Sequence, residues 1–317
     1  MSNYFFTLVD QNFVLRALTL YKSFKTFNRK RKFIIVTLDD KSFKLVKKFK
    51  DEDLISLNVL DFDLRIVKKI KEKRTYKEYC WTMKSIAFSY ILDNFKHITW
   101  LFYLDSDSMV FSKFQSLNDE KFDALLTPHR PLNNFFKKIV KNVGRFNAGF
   151  LGIKNNVNGR KILKYWKNRC IESCKELPNK NEYGDQKYLS EISKKFLRIN
   201  IDPNNGLNVA PWNLCDEKNI ISYKNLPKNL IFYHMQGFKI YNLNIFNLYS
   251  DDFFVCQNVF KKIYLPYINL LKKTYNEIKK KDSSFFQRKE FKIDLKFLIK
   301  KIIFGIGNFK LKFFYEK

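Results

Sequence analysis

The chain has 317 residues and a formal charge of +29 at neutral pH, from 60 Lys and Arg against 31 Asp and Glu. That length suits one large domain or two modest ones with a substantial core. With 45% hydrophobic residues, including 34 Phe and 17 Tyr, the chain is no disordered polycation despite its charge.

In chain order, Tyr4–Val9 reads as a strand. Asn12–Phe24 reads as a helix with Leu15, Leu18, Leu20 and Phe24 turned inward. KFIIVTL at 32–38 is a second strand, Ser42–Phe49 a helix behind it, and Ile55–Leu60 a third strand. Tyr79–Leu92 has good helix propensity, and ITWLFYL at 98–104 is apolar throughout. Continuous rather than alternating apolarity marks a strand buried on both faces, as in a mostly parallel sheet. Further on, Phe122–Thr127 and Arg145–Ile153 read as strands and Val157–Cys174 and Tyr183–Lys195 as helices. A short strand, Ile231–His234, leads into Gly237. Alternating strands and helices predict a Rossmann-like α/β fold with a mostly parallel central sheet. Ligands of such sheets bind beyond the carboxyl ends of the strands, here Val9–Phe13, Leu38–Asp40 and Asp105–Asp107.

Cys80, Cys170, Cys174, Cys215 and Cys256 form neither a CxxC pair nor a zinc pattern, so they read as free thiols in a reducing compartment. MSNYFFTLVD lacks a basic signal-peptide start, and no window reaches the ~18 uncharged apolar residues of a membrane span. The expected location is the cytoplasm, free or on the inner face of a membrane.

Asp105-Ser106-Asp107 follows ITWLFYL directly. Unpaired carboxylates at the end of a buried strand are costly, and a divalent cation such as Mg²⁺ or Mn²⁺ is their natural partner, usually bridging them to a diphosphate. A turn whose aspartates cap the next segment is the structural alternative. Haloacid-dehalogenase-like phosphatases also use D-x-D after an apolar strand, with the first Asp as nucleophile. Their pair lies on the first strand, whereas this one lies on roughly the fourth. Gly184-Asp185 would imitate their later acidic motif, yet the position four residues on is Leu189.

Several segments together resemble the nucleotide-sugar glycosyltransferases of the type A fold, particularly family 8 and its bacterial lipooligosaccharide galactosyl- and glucosyltransferase relatives. They are LVDQNFV at 8–14, YLDSDSMVF at 103–111, FNAGFLGI at 146–153, GDQKYL at 184–189 and YHMQGFK at 233–239. The resemblance covers most of residues 3–240. It implies transfer of a hexosyl unit from a UDP-sugar to a hydroxyl of a saccharide or glycolipid acceptor, with retention at the anomeric carbon. Asp10 and Asn12 would meet uracil and ribose, Phe13 would stack on the base, and Thr7 is a lesser candidate. Asp105, Asp107 and His234 would hold Mn²⁺ or Mg²⁺, with Ser106 and Gly237 beside the nucleotide. Asn147 would contact the transferred sugar, Asp185 its hydroxyls, and Gln186 would lie near the anomeric carbon. An uncharged amide suits stabilising a short-lived oxocarbenium ion there. Lys239 would neutralise the leaving diphosphate, although it follows His234 by five residues where the family has six. Lys84 is a second candidate for the phosphates or sugar. The family's Arg two residues before that Lys is Thr82 here. His97 and His129 match nothing in this pattern.

The charge is uneven. Residues 256–317 carry 16 Lys and Arg against 5 Asp and Glu, a net +11, leaving +18 for the first 255. The expected division is a catalytic domain at 1–255 and a basic, aromatic, helical extension at 256–317. Within it EFKIDLKFLIKKIIFGI at 290–306 aligns Leu295, Leu298, Ile299, Ile302, Ile303 and Ile306 on one face, a pattern suited to an anionic membrane surface. A nucleic-acid-binding protein would explain this charge but not the acidic motifs. The excess is mostly Lys, 49 against 11 Arg, whereas Arg is the usual reader of bases, so no specific nucleic acid is expected.

Overall fold

A computed structural model describes residues 2–285, except 116, 118, 178–181, 204 and 251, together with the backbone of 309–311. The first half is a regular alternation: β1 (Asn3–Val9), α1 (Val14–Phe27), β2 (Phe33–Thr37), α2 (Asp40–Lys47), β3 (Leu54–Asn58), α3 (Leu64–Lys73), α4 (Tyr76–Asn94) and β4 (Trp100–Leu104). There follow β5 (Ser108–Val110), β6 (Ala124–Pro128), α5 (Asn134–Val143), β7 (Phe146–Lys154), α6 (Val157–Glu172), α7 (Tyr188–Lys195) and β8 (Ile199–Ile201). Eleven of these strands and helices correspond to expected segments, ten of them to within a few residues and α7 with a later start. α3, α5, β5 and β8 were not expected.

Seven strands form one sheet in the order β3-β2-β1-β4-β7-β6-β8. Every pair is parallel except those of β7, which runs antiparallel to β4 and β6. Successive residues feed opposite faces, as strand geometry demands. Phe5, Ile35, Phe102 and Leu104 enter one buried cluster with α1. Phe6, Ile34, Leu101 and Tyr103 enter the other, with α4 and α6. The continuous apolar runs of β1, β2 and β4 follow from this double burial.

Local chemistry sets the helix ends. Asp39 accepts from Ser42 N at 2.8 Å and starts α2, while Thr75 and Glu78 form a reciprocal cap at the start of α4. α1 begins at Val14 rather than Asn12 because the Asp10 carboxylate takes the backbone N–H groups of Asn12 and Phe13 at 3.0 and 3.1 Å. The helix expected from Tyr183 begins at Tyr188, since Gly184 turns the chain with φ +52°.

Beyond β8 the elements are short: α8 (Pro211–Leu214), β9 (Ile220–Ile221), β10 (Phe232–His234), β11 (Lys239–Asn242), β12 (Ile245–Asn247) and β13 (Phe254–Val255). A final helical stretch runs through α9 (Gln257–Val259), one π-helical turn (Phe260–Tyr264) and α10 (Leu265–Lys281). Tyr264, Tyr267, Ile268 and Leu271 are buried in the same cluster as Leu15, Leu18 and Phe24 of α1. The core therefore continues across the expected boundary at 255/256. The amphipathic segment 290–306 lies outside the described residues. No helix among the described residues is long and apolar enough to cross a membrane.

Candidate active site

A cavity of about 670 Å³ opens at the carboxyl ends of β1 and β4. Its floor is built by a long-range pairing. β5 leaves the Asp105–Asp107 turn and runs antiparallel to β10, with His234 opposite Ser108, and Met235 N donates to Asp107 O at 2.7 Å. That register brings the buried His234 to the acidic pair: Nε2 lies 3.3 Å from Asp107 Oδ1 and 3.7 Å from Asp105 Oδ2. One ligand atom from each of Asp105, Asp107 and His234 falls within 4.8 Å of the others. Two carboxylates and an imidazole are a hard, divalent-cation donor set, so these residues fit the ion the sequence implies.

The charges are mutually tuned. Burial disfavours the Asp107 carboxylate, but His234 and then Arg16 outweigh it and hold its pKa down at about 2. Burial likewise lowers the His234 pKa, and Asp107 followed by Asp105 raises it above the ordinary histidine value.

A second group faces this one. Lys84 of α4 is buried, with Nζ 2.9 Å from Asp185 Oδ2 and 3.6 Å from Asp105 Oδ1. It donates to Ala148 O at 3.2 Å and sits 4.5 Å from the centre of the Tyr103 ring. Burial pulls its pKa down, yet the two carboxylates win and raise it. Burial, with help from Asp105, raises the Asp185 pKa against the lowering by Lys84. Tyr103 donates to Asp105 Oδ1 at 2.7 Å, which orients that carboxylate.

At the end of β1, Asp10 accepts not only from the two backbone N–H groups but from Asn12 Nδ2 at 2.7 Å and Tyr76 OH at 2.9 Å. Phe13 is 38% exposed and lines the cavity instead of joining the core. The Arg16 guanidinium lies 4.8 Å from its ring centre, and Arg16 also donates to Phe238 O at 3.0 Å, tying α1 to the loop after β10. In that loop Gly237 has φ +81°, and a Cβ there would lie 2.7 Å from the Tyr249 ring.

Asp10, Asn12, Phe13, Lys84, Asp105, Ser106, Asp107, Asn147, Asp185, Gln186, His234 and Gly237 all line the cavity. Two expected residues do not. Thr7 is fully buried inside β1, short of the opening. Lys239 is exposed at the start of β11, outside the cavity wall. Thr82, where the resemblance offers an Arg, is buried and donates to Glu78 O at 2.7 Å.

His129, outside every matched motif, nonetheless reaches the site. It lines the cavity with Nε2 3.4 Å from Asn147 Nδ2, and burial drives its pKa down to about 4, so the ring is neutral at physiological pH. Tyr76, Trp81 and Trp212 also line the cavity without any motif to announce them. Only the i, i+4, i+8 spacing of Tyr76, Cys80 and Lys84 on α4 offered a signal. Residues four apart share a helix face.

No family model matches the chain. The Bacillus subtilis (strain 168) protein YfnF, described as uncharacterised, is 27% identical over 257 residues, which are 77% of this chain and 84% of YfnF. Among solved structures, the galactosyltransferase LgtC in complex with donor and acceptor sugar analogues aligns with TM-score 0.55 at 14% identity, over 85% of this chain and 95% of LgtC. The fold is that of the type A glycosyltransferases, similar to family 8. The bifunctional glycosyltransferase WbbM aligns with TM-score 0.52 at 12% identity, over 89% of this chain and 52% of WbbM. At such identities the likeness is one of fold. Within the seven-stranded sheet, the antiparallel β7 carries Asn147 to the cavity beside β4.

Proposed function

We propose that this chain is a divalent-metal-dependent glycosyltransferase that moves a hexosyl unit from a UDP-sugar to a hydroxyl of a saccharide or glycolipid acceptor, with retention. The convergence of Asp105, Asp107 and His234 in the cavity, beside the Lys84–Asp185 pair, carries the reading. A bound Mn²⁺ or Mg²⁺ would supply the positive charge that lets a nucleoside diphosphate depart without a strong general base.

The chain's own groups do the rest. Tyr76 and Asn12 keep Asp10 rigid at the nucleotide end, and the exposed Phe13 offers its ring to the base. Asp185, held by Lys84, is fixed as an acceptor for sugar hydroxyls. Gln186 Nε2 donates to Val143 O at 3.1 Å, which orients its amide at the cavity edge. The buried Lys84 keeps the acidic wall from repelling an anionic donor.

Several UDP- and GDP-sugars with Mn²⁺, scored by slow hydrolysis and thermal shift, test the proposal. The expected outcome is stabilisation and hydrolysis with a UDP-hexose, both lost in the Asp105→Ala, Asp107→Ala double variant. If no nucleotide sugar stabilises the wild type more than that variant, the reading fails.

The proposal extends to place of action. A basic segment after residue 285 suits attachment to an anionic inner membrane face. Because α10 belongs to the core, the variant to use ends at residue 285. Unchanged partitioning onto phosphatidylserine vesicles would rule attachment out.

A further inference from the structure

Asn208, which no sequence motif marks, lies in the loop before α8 with a left-handed backbone (φ +54°) and is only 2% exposed. Its amide orientation follows from an unambiguous donor. The backbone N–H of Gly149 donates to Asn147 Oδ1 at 2.8 Å, so that atom is the amide oxygen. Whatever else reaches it must be a donor, and Asn208 Nδ2 does so at 3.1 Å. The same Nδ2 donates to Thr127 Oγ1 at 2.7 Å, and Thr127 passes its own proton to Phe150 O at 2.7 Å.

With both donors of Asn208 spent on that side, its Oδ1 points the other way. It is buried without a partner among the described residues, and so is Nδ1 of His234. The two orphans are neighbours. The position a Gly149 Cβ would take lies 2.8 Å from His234 Nδ1 and 3.1 Å from Asn208 Oδ1, so they are no more than about 6 Å apart. That span is closed by a small side-chain shift or by one bridging water. An acceptor-only oxygen facing a ring nitrogen demands an N–H there.

We propose that Asn208 is the positioning residue of the site: its Oδ1 takes the His234 Nδ1 proton, directly or through one water, and fixes the tautomer whose Nε2 lone pair faces Asp105 and Asp107. Through Nδ2 the same amide holds Asn147, so one side chain keeps the cation wall and the sugar-facing strand in register. Gly149 is part of the device, because any Cβ would separate the three polar groups. A histidine that ligates a metal generally depends on such a partner at its other nitrogen.

The inference rests on the proposed function, since without a cation Nε2 would keep its own proton toward Asp107, 3.3 Å away. The test therefore has two readouts on the full chain. First, Mn²⁺ affinity is read by electron paramagnetic resonance without nucleotide, and a loss of about tenfold is expected in Asn208→Ala. Second, NMR of ¹⁵N-histidine-labelled protein is recorded with saturating Mg²⁺; the expected His234 Nδ1–H signal is sheltered from exchange with water in wild type and lost to fast exchange in Asn208→Ala. If Asn208→Ala does not fold, Thr127→Val removes the bond that aims Asn208 and is expected to shift both readouts the same way, by less. An unchanged Nδ1–H signal in the variant overturns the proposal, as does Mn²⁺ affinity within about twofold of wild type. Wild type that binds neither cation overturns the metal reading and the positioning role with it, a result distinct from unaltered cation binding in the variant.

Discussion

Residues 1–104 and residues 105–255 are built by different rules. In the first part, strands and helices alternate and every sheet pair is parallel; β1–β2 and β2–β3 join successive strands, and only β1–β4 reaches across the whole region. In the second, the pieces that matter are closed at long range: β5 on β10, and Thr127 on Asn208. The first part supplies a rigid platform with Asp10, Phe13 and Lys84 on its rim. The second delivers Asp105, Asp107, His234, Asn147 and Asp185. Stability and chemistry are thus separable to a useful degree, which mutation can challenge.

The largest expected effect is mainly on chemistry. Asp107→Asn is expected to lower donor turnover on the order of 1000-fold and, since the carboxylate's depressed pKa is lost with it, to cost only about 2 kcal/mol of stability, measured by paired kinetics and urea titration. A comparable loss of stability would show that the acidic wall also supports the fold. In the platform, Ile35→Ala on the fully buried β2 is expected to cost about 2–5 kcal/mol of stability with KM for the donor little changed. A KM that moves in step with stability would erase the division.

A smaller effect concerns pH. His129 has a folded pKa of about 4 against about 6.5 in an unfolded chain. As pH falls, the unfolded chain takes the proton first, so the stability owed to a neutral ring is whole above about pH 6.5 and drains away toward pH 4. About 3 kcal/mol is at stake. Denaturation at pH 7 and pH 4.5 should show that extra loss in wild type and not in His129→Gln. The smallest effect is at the start of α4, where Thr75→Ala removes the cap before Tyr76. It is expected to cost about 1 kcal/mol and to weaken donor binding more than Mn²⁺ binding, by calorimetry.

The same division governs what the sequence disclosed. β1, β2, β4 and α4 carry uninterrupted apolar runs or strong helix propensity, so periodicity finds them. The acidic wall was legible because charge at the end of ITWLFYL is physically anomalous. α5 was missed although Phe136, Ile139, Val140 and Val143 recur at helical spacing after the Asn133 cap; flanking lysines and asparagines diluted the pattern. Trp212 sits in the four-residue α8 and Asn208 in the loop before it, short segments whose placement is set by partners far along the chain. Nothing local distinguishes Asn208 from any other loop asparagine. Thr7 failed for the opposite reason: strand alternation and burial keep it inside the sheet, whatever motif surrounds it.

The β5–β10 register has a consequence for how the protein is born. Asp105 and Asp107 leave the ribosome well over a hundred residues before His234, a delay on the order of ten seconds at ordinary synthesis rates. During that interval the acidic pair has no imidazole. Lys84 has already emerged, however, on the helix that precedes β4 and within 3.6 Å of Asp105 in the finished fold. The nascent platform can thus balance the first carboxylate before the rest of the site exists, and the arrival of β10 becomes the step that closes the cation wall.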